Sequence, residues 1–280
     1  MKVKRLIRDS VFSIFDFSVW PKLASDLGLN IADVGSLQIL ERIILSQLKT
    51  TLPNPLFLDP NLSLNLWAPT KQNQAMALLL DQPSAERDPL ASPILVKDWS
   101  LEEIKNNLAP AVLTFYYHPR EEAALHKKQF LAEIKDYADH QGIDLIVKLI
   151  IYTPAHEKFD WVIFQKDQLQ AVQELRDLAN LLVLQFPHDP LACATLTTEL
   201  DIPWLLTDDN YQYDDFKNNL REAMENGAAG FVAYSSLVGE SKTLKKEDHS
   251  PDIEKILNFN TTTFQDRVIE LSRIADSFNN

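Results

Sequence analysis

Charged and nucleophilic side chains set inside or at the ends of apolar runs are where chemistry is to be sought in this chain. Lys148 lies within "IDLIVKLIIY" (143–152). A lysine placed there has two uses. Desolvation lowers an ammonium's pKa and frees an amine that can add to a carbonyl. Alternatively, a carboxylate offsets the cost of burial and the pair serves structure. Asp16, Asp59 and Asp98 each end an apolar run, so any of them is a candidate partner, and the structural use is the favoured one. Lys97 carries the same two readings, with exposure at a strand end favoured. His118 and His188 end two further runs, beside Pro119 and Pro187. With Asp59 or Asp98 they would form an acid/base pair or a metal site. No H-E-x-x-H or comparable spacing is present, so capping or solvent-facing histidines are expected and no metal is assigned. The run "TDDNYQYDDF" (207–216) lacks the spacing and closing glutamate of a calcium loop. Helix N-capping by Asp214 or Asp215 is the expected role there.

The elements that would position these residues alternate in type. Strand-like runs fall at 11–17, 55–60, 93–99, 111–118, 143–152, 180–187, 202–207 and 230–237. Most are continuously apolar, as expected of strands buried on both faces. Amphipathic segments lie between them. Ser100 with Glu103 reads as a capping box. Gly142 and Gly227 read as helix stops. Eight strands with intervening helices predict a (β/α)8 TIM barrel, with residues 1–280 as one domain. An open doubly wound sheet is the runner-up, but no G-x-G-x-x-G follows a strand and the chain has only 6 glycines. Residues 60–92 are expected as an irregular segment of loop, helix and loop. Residues 239–252 are expected as a mobile loop. Trp67, Trp99, Trp161 and Trp204 read as packing anchors, and Trp20 as partly exposed.

Composition excludes some classes of function. With 27 basic and 40 acidic residues the net charge is −13, which gives no basic field for nucleic acid. Lys2, Lys4, Arg5 and Arg8 form a local basic spot, read as a solvated terminus. The single cysteine, Cys193, excludes an internal disulfide and reads as a buried structural thiol. No apolar run approaches the ~20 residues of a membrane helix, so no membrane insertion is expected. Asp9 and Asp16 interrupt the apolar start and no small-residue cleavage site follows, so a soluble, cytoplasmic protein is expected.

"FLDP" (57–60), "ILVKDWSLEEIK" (94–105), "AVLTFYYHP" (111–119), "YADHQGIDLIVKLIIY" (137–152) and "IPWLLTDDNYQYDDFKNNLREAMENGAAGFVAYSSL" (202–237) follow one another in a telling order. In order and spacing the chain resembles the class I tagatose-1,6-bisphosphate aldolase family over roughly residues 50–240. The resemblance implies an aldolase-like barrel and a role in carbohydrate metabolism. It also implies a lysine amine for a Schiff base, a nearby carboxylate and a phosphate clamp. The family's sixth strand carries the lysine in a D-V-L-K-x-E-x-P pattern. Matched through Pro187, that lysine is replaced here by Val183 and the glutamate by Gln185. The fifth-strand glutamate becomes Lys148 and the fourth-strand lysine becomes Val112. Asp16 is the candidate for the first-strand aspartate, and "FDFSVW" (15–20) lacks the arginine that follows it in the family. After the seventh strand, Thr207 stands for a serine and is followed by Asp208 and Asp209, whose charge would repel phosphate. After the eighth, Tyr234 and Ser235 replace a glycine and the phosphate-gripping arginine.

The sequence therefore predicts an aldolase-like barrel that has lost its nucleophile: a pseudoenzyme that binds a metabolite or a protein partner, as a regulatory or assembly component. The competing reading is an active carbon–carbon lyase or isomerase with Lys148 as a relocated nucleophile and Asp16 beside it. The candidate pocket at the strand ends comprises Asp59, Asp98, Tyr117, His118, Gln185, His188, Thr207, Tyr234 and Ser235. No cofactor is expected. Self-association is implied by the resemblance.

Overall fold

The computed structural model describes residues 3–7, 11–70, 74–208 and 212–278. Eight parallel strands close into a barrel in sequence order. They are β1 (Phe12–Asp16), β2 (Leu56–Leu58), β3 (Met76–Leu79), β4 (Ala111–Tyr116), β5 (Leu145–Ile150), β6 (Leu181–Leu184), β7 (Trp204–Thr207) and β8 (Gly230–Ala233). The ring is closed by β1 against β8, with Phe12 opposite Gly230 and Phe15 opposite Ala233. Around it lie α1 (Trp20–Leu27), α2 (Val34–Thr50), α3 (Ser63–Trp67), α4 (Leu101–Asn106), α5 (Ala124–Gln141), α6 (Trp161–Leu175), α7 (Pro190–Glu199), α8 (Tyr213–Glu225), α9 (Ser235–Val238), α10 (Ile253–Phe259) and α11 (Gln265–Asp276).

Strand side chains alternate between two cores, because successive residues point to opposite faces of a sheet. Phe12, Ile14, Ala77, Leu79, Leu181 and Val183 belong to a buried cluster that fills the barrel. Their chain neighbours Phe15, Leu78 and Leu182 belong to a second, larger cluster shared with the helices. Val3 and Leu6, on a 3-10 turn (Val3–Leu6), join the inner cluster and close it. Val3 N–H donates to Asp144 Oδ2 at 2.7 Å.

Local signals account for much of the helix layer. Ser100 and Glu103 form the capping box of α4. Gly142 ends α5 in the left-handed conformation at φ 66, and Gly227, past α8, has φ 97. The expected capping by Asp214 or Asp215 is corrected: both lie in the first turn of α8, and Gln212 holds the N-cap position. Carboxylates in a first turn still favour the positive end of the helix dipole. Burial pushes the Cys193 thiol up to about 12, which leaves it unreactive. Trp20 is buried and Trp161 is exposed, the reverse of the expectation for both.

The third strand is also corrected. It is β3 at 76–79, inside the segment expected to be irregular, and not 93–99. The latter returns antiparallel beside the end of β3: Gln82 N–H donates to Ile94 O at 2.7 Å and Val96 N–H to Leu80 O at 3.0 Å. Residues 239–252 begin with a 3-10 turn (Gly239–Thr243) and contain an antiparallel bridge, Lys245 with Pro251. Among the described residues no helix is long and apolar enough to cross a membrane. Lys4 and Arg5 lie on the 3-10 turn, whereas Lys2, Arg8 and Asp9 fall outside the described residues.

Candidate functional site

β5 and β1 stand on opposite sides of an eight-stranded ring. Lys148 on β5 faces inward, in register with Thr114 on β4 and Val183 on β6. Its four-carbon stem crosses the barrel axis, and Nζ donates to Asp16 Oδ2 at 2.8 Å. Both residues are buried, Lys148 at 9 % exposure. Burial alone would push the ammonium's pKa down. The Asp16 charge, its hydrogen bond and the more distant Asp208 charge outweigh burial and hold it above the usual lysine value. Asp16 is itself fixed, because its Oδ1 accepts from the Ser18 backbone N–H at 3.0 Å and from the Ser18 hydroxyl. Lys148 is thus an anchored ammonium, with its proton retained. Val183, fully buried in the inner cluster, presents two methyl groups beside it.

Asp208, directly after β7, is the third charge of this group. Its Oδ2 accepts from Tyr234 N–H at 2.8 Å, Ser236 N–H at 2.7 Å and Ser236 Oγ at 2.9 Å. Burial pushes its pKa up to about 7, against the lowering effect of the Ser236 bonds, the Lys148 charge and the Tyr234 bond. The Thr207 hydroxyl next to it in the chain is buried without a hydrogen-bond partner among the described residues. Asp208 was legible in the sequence as a carboxylate at the strand end. That it would gather donors from the β8 loop was not legible, because those donors are mainly backbone groups.

The remaining expected pocket residues are dispersed. Asp59 is buried and saturated, accepting from Trp20 Nε1 at 2.9 Å, from Ser63 Oγ at 2.6 Å and from the backbone N–H groups of Asn61, Leu62 and Ser63. Burial still raises its pKa, with the Ser63, Leu62 and Asn61 bonds acting against it. It holds the β2–α3 corner together and does not reach Lys148. Asp98 is exposed, with φ 57, on the segment leading into α4. Tyr117 points into the helix layer, where its hydroxyl donates to Glu174 on α6. His118 is buried against α6, with Nε2 3.2 Å from Asp167 and Nδ1 accepting from Arg120 N–H at 3.3 Å. Arg120 in turn bonds both Asp167 and Glu157. His118 is therefore a buried link between the end of β4 and α6, and it does not face solvent.

Gln185 Oε1 accepts from Ile151 N–H at 2.8 Å and so ties the ends of β5 and β6. His188 is exposed at φ 60, edge-on to Phe159, Phe164 and Phe186. The Tyr234 hydroxyl donates to Gln47 Oε1 on α2 at 2.7 Å. Ser235 begins α9 and is half-buried. Among the described residues, no group of three or more His, Cys, Asp or Glu side chains could hold a metal ion.

A cavity of about 230 Å³ opens at the C-terminal end of β4, under the loop that follows β3. Thr114 and Tyr116 line it from the barrel side and Ser84, Arg87, Pro93 and Ile94 from the loop. Arg87 pairs with the fully buried Asp81, whose other oxygen accepts Thr114 N–H at 2.9 Å. Burial raises the Asp81 pKa, with the Arg87 charge acting against it. Neither Asp81 nor Arg87 was singled out by sequence, because the third strand was placed elsewhere. A groove of about 350 Å³ lies on the outside of the barrel, between α6 and α7, away from this chemistry.

The sequence matches no family model and no curated protein. Solved structures do resemble it. An archaeal fructose-1,6-bisphosphate aldolase, with its catalytic lysine bound to the carbinolamine intermediate of its substrate, superimposes with a TM-score of 0.63 at 15% identity, over 91% of this chain and 98% of that one. The fructose-bisphosphate aldolase from Slackia heliotrinireducens gives 0.63 at 10% identity, over 93% and 89%. The Plasmodium falciparum aldolase, in complex with TRAP and a small-molecule inhibitor, gives 0.62 at 10% identity, over 96% and 92%. At such identities the likeness defines the fold, an aldolase-type (β/α)8 barrel, and leaves the chemistry to be argued from residues.

Proposed function

We propose that this chain is an aldolase-type barrel without Schiff-base catalysis, a relative of the class I tagatose-1,6-bisphosphate aldolases that binds a small molecule at the barrel mouth as a regulatory or assembly component. The observation that carries this reading is the Lys148–Asp16 ion pair across the barrel axis. Imine formation needs a free amine with room for a carbonyl carbon beside it. Here the amine is protonated and hydrogen-bonded, and the side chain of Val183, at the position matched to the family's lysine, carries no nitrogen. The cavity under the β3 loop supplies room for a ligand, with the Thr114 and Tyr116 side chains as polar contacts.

An active lyase with Lys148 as nucleophile is the second reading. It is favoured by one observation: this inward lysine sits at the C-terminal half of a barrel strand, where such barrels keep their catalytic residues. Borohydride reduction with dihydroxyacetone phosphate or a panel of ketoses, followed by intact mass, separates the two. We expect no adduct and no turnover. A stable wild-type adduct that disappears in Lys148→Ala would overturn the non-catalytic reading.

A further inference from the structure

The loop after β8 turns three donors, the N–H groups of Tyr234 and Ser236 and the Ser236 hydroxyl, onto one point, and that point is occupied by Asp208 Oδ2. Convergent N–H and O–H donors are what a bound anion requires. In barrels of this architecture, the loops after the seventh and eighth strands are the usual place for a phosphate group. Next to Asp208 in the chain, Thr207, in phase with the inward Leu205, has a buried hydroxyl with no partner among the described residues. The cradle is therefore present, and the chain has supplied its own occupant.

From this we infer that Asp208 is a specificity-determining residue: its carboxylate is the resident anion of the β7 and β8 loops, and it closes the barrel mouth to phosphate esters, leaving an unphosphorylated ligand. The inference rests on the reading of the mouth as a binding site and names the ligand class of that site. Two effects act together. The donors are already taken, and a second anion brought beside Asp208 would meet a like charge. Lys148 offsets this only in part, because Asp16 already neutralises its ammonium.

The test uses inorganic phosphate and the full chain at about pH 8, above the Asp208 value of about 7, where its charge is present. By calorimetry, the wild type is expected to show no saturable binding. Asp208→Ala and Asp208→Gly empty the cradle and are expected to bind phosphate at least ~10-fold more tightly than the wild type. Phosphate is also expected to raise the unfolding midpoint of these variants and not that of the wild type. Saturable wild-type binding equal to that of the variants overturns the inference, and so does a folded variant that binds no phosphate. If the variants fold poorly, added phosphate is expected to restore them, since it refills the cradle; failure of both to fold in phosphate also counts against the inference. No ketose is present, so this outcome is independent of the borohydride experiment, and either reading can fail while the other stands.

Discussion

At the scale of single residues, the centre of the molecule is decided by one charge pair. Lys148 and Asp16 are buried partners, and removing one leaves the other uncompensated. Lys148→Met is expected to destabilise the protein by ~3–5 kcal/mol, with much of the loss recovered in the Lys148→Met/Asp16→Leu double variant. Urea unfolding midpoints of the two variants check this, and a single-variant loss within ~0.5 kcal/mol would place the pair among surface-like contacts. The sign of the pH dependence follows from the raised lysine pKa. The pair's contribution is fully present below the ordinary lysine value and is lost only as pH rises through the higher folded value. Neutral and mildly alkaline buffers therefore leave the pair intact. The sequence made Lys148 and Asp16 legible as possible partners, because a lysine in a run such as "LIVKLI" must find a carboxylate. It could not choose among Asp16, Asp59 and Asp98. That choice depends on which strand stands across the ring and on which carboxylates are already saturated, as Asp59 is by Trp20 and Ser63.

At the scale of elements, the strands that were legible are those whose apolar runs are bounded by prolines, glycines or acids. Seven of the eight were found this way. The third was misplaced for a physical reason: both candidates are extended, and 94–96 lies antiparallel beside the end of β3. Apolar content does not distinguish a barrel strand from the return arm that covers it. The closing seam is a second element-level feature. Gly230 has φ +147, and a Cβ there would run into the Phe12 backbone on β1. Gly230→Ala combines strain with overpacking at the β1–β8 junction and is expected to cost ~2–5 kcal/mol. Chemical denaturation would show it, and a loss of less than ~0.5 kcal/mol would mean that the seam opens without cost.

At the scale of the whole molecule, a barrel must be filled and closed at both ends. The amino-terminal 3-10 turn closes one end with Val3 and Leu6, and the Lys148–Asp16 pair spans the other. Leu6 is fully buried although it lies outside the barrel strands. Leu6→Ala is expected to cost ~2–5 kcal/mol, the range for a buried leucine, where a frayed terminus would cost nothing. Hydrogen exchange at the β1 and β5 amides, together with the unfolding midpoint, would register the loss of this plug.

The sequence by itself determined the alternation of strand and helix, the parallel barrel, the Ser100–Glu103 capping box, the glycine helix stops and the valine at 183 in place of a lysine. Each of these depends on residues close together along the chain or on the identity of one position. The tertiary structure decided which carboxylate holds Lys148, where the third strand lies, why Tyr117 and His118 turn outward to α6, and what occupies the donors after β8. Those outcomes depend on distances across a closed ring between residues far apart in sequence, where burial and competing hydrogen bonds select one partner from several that composition allows.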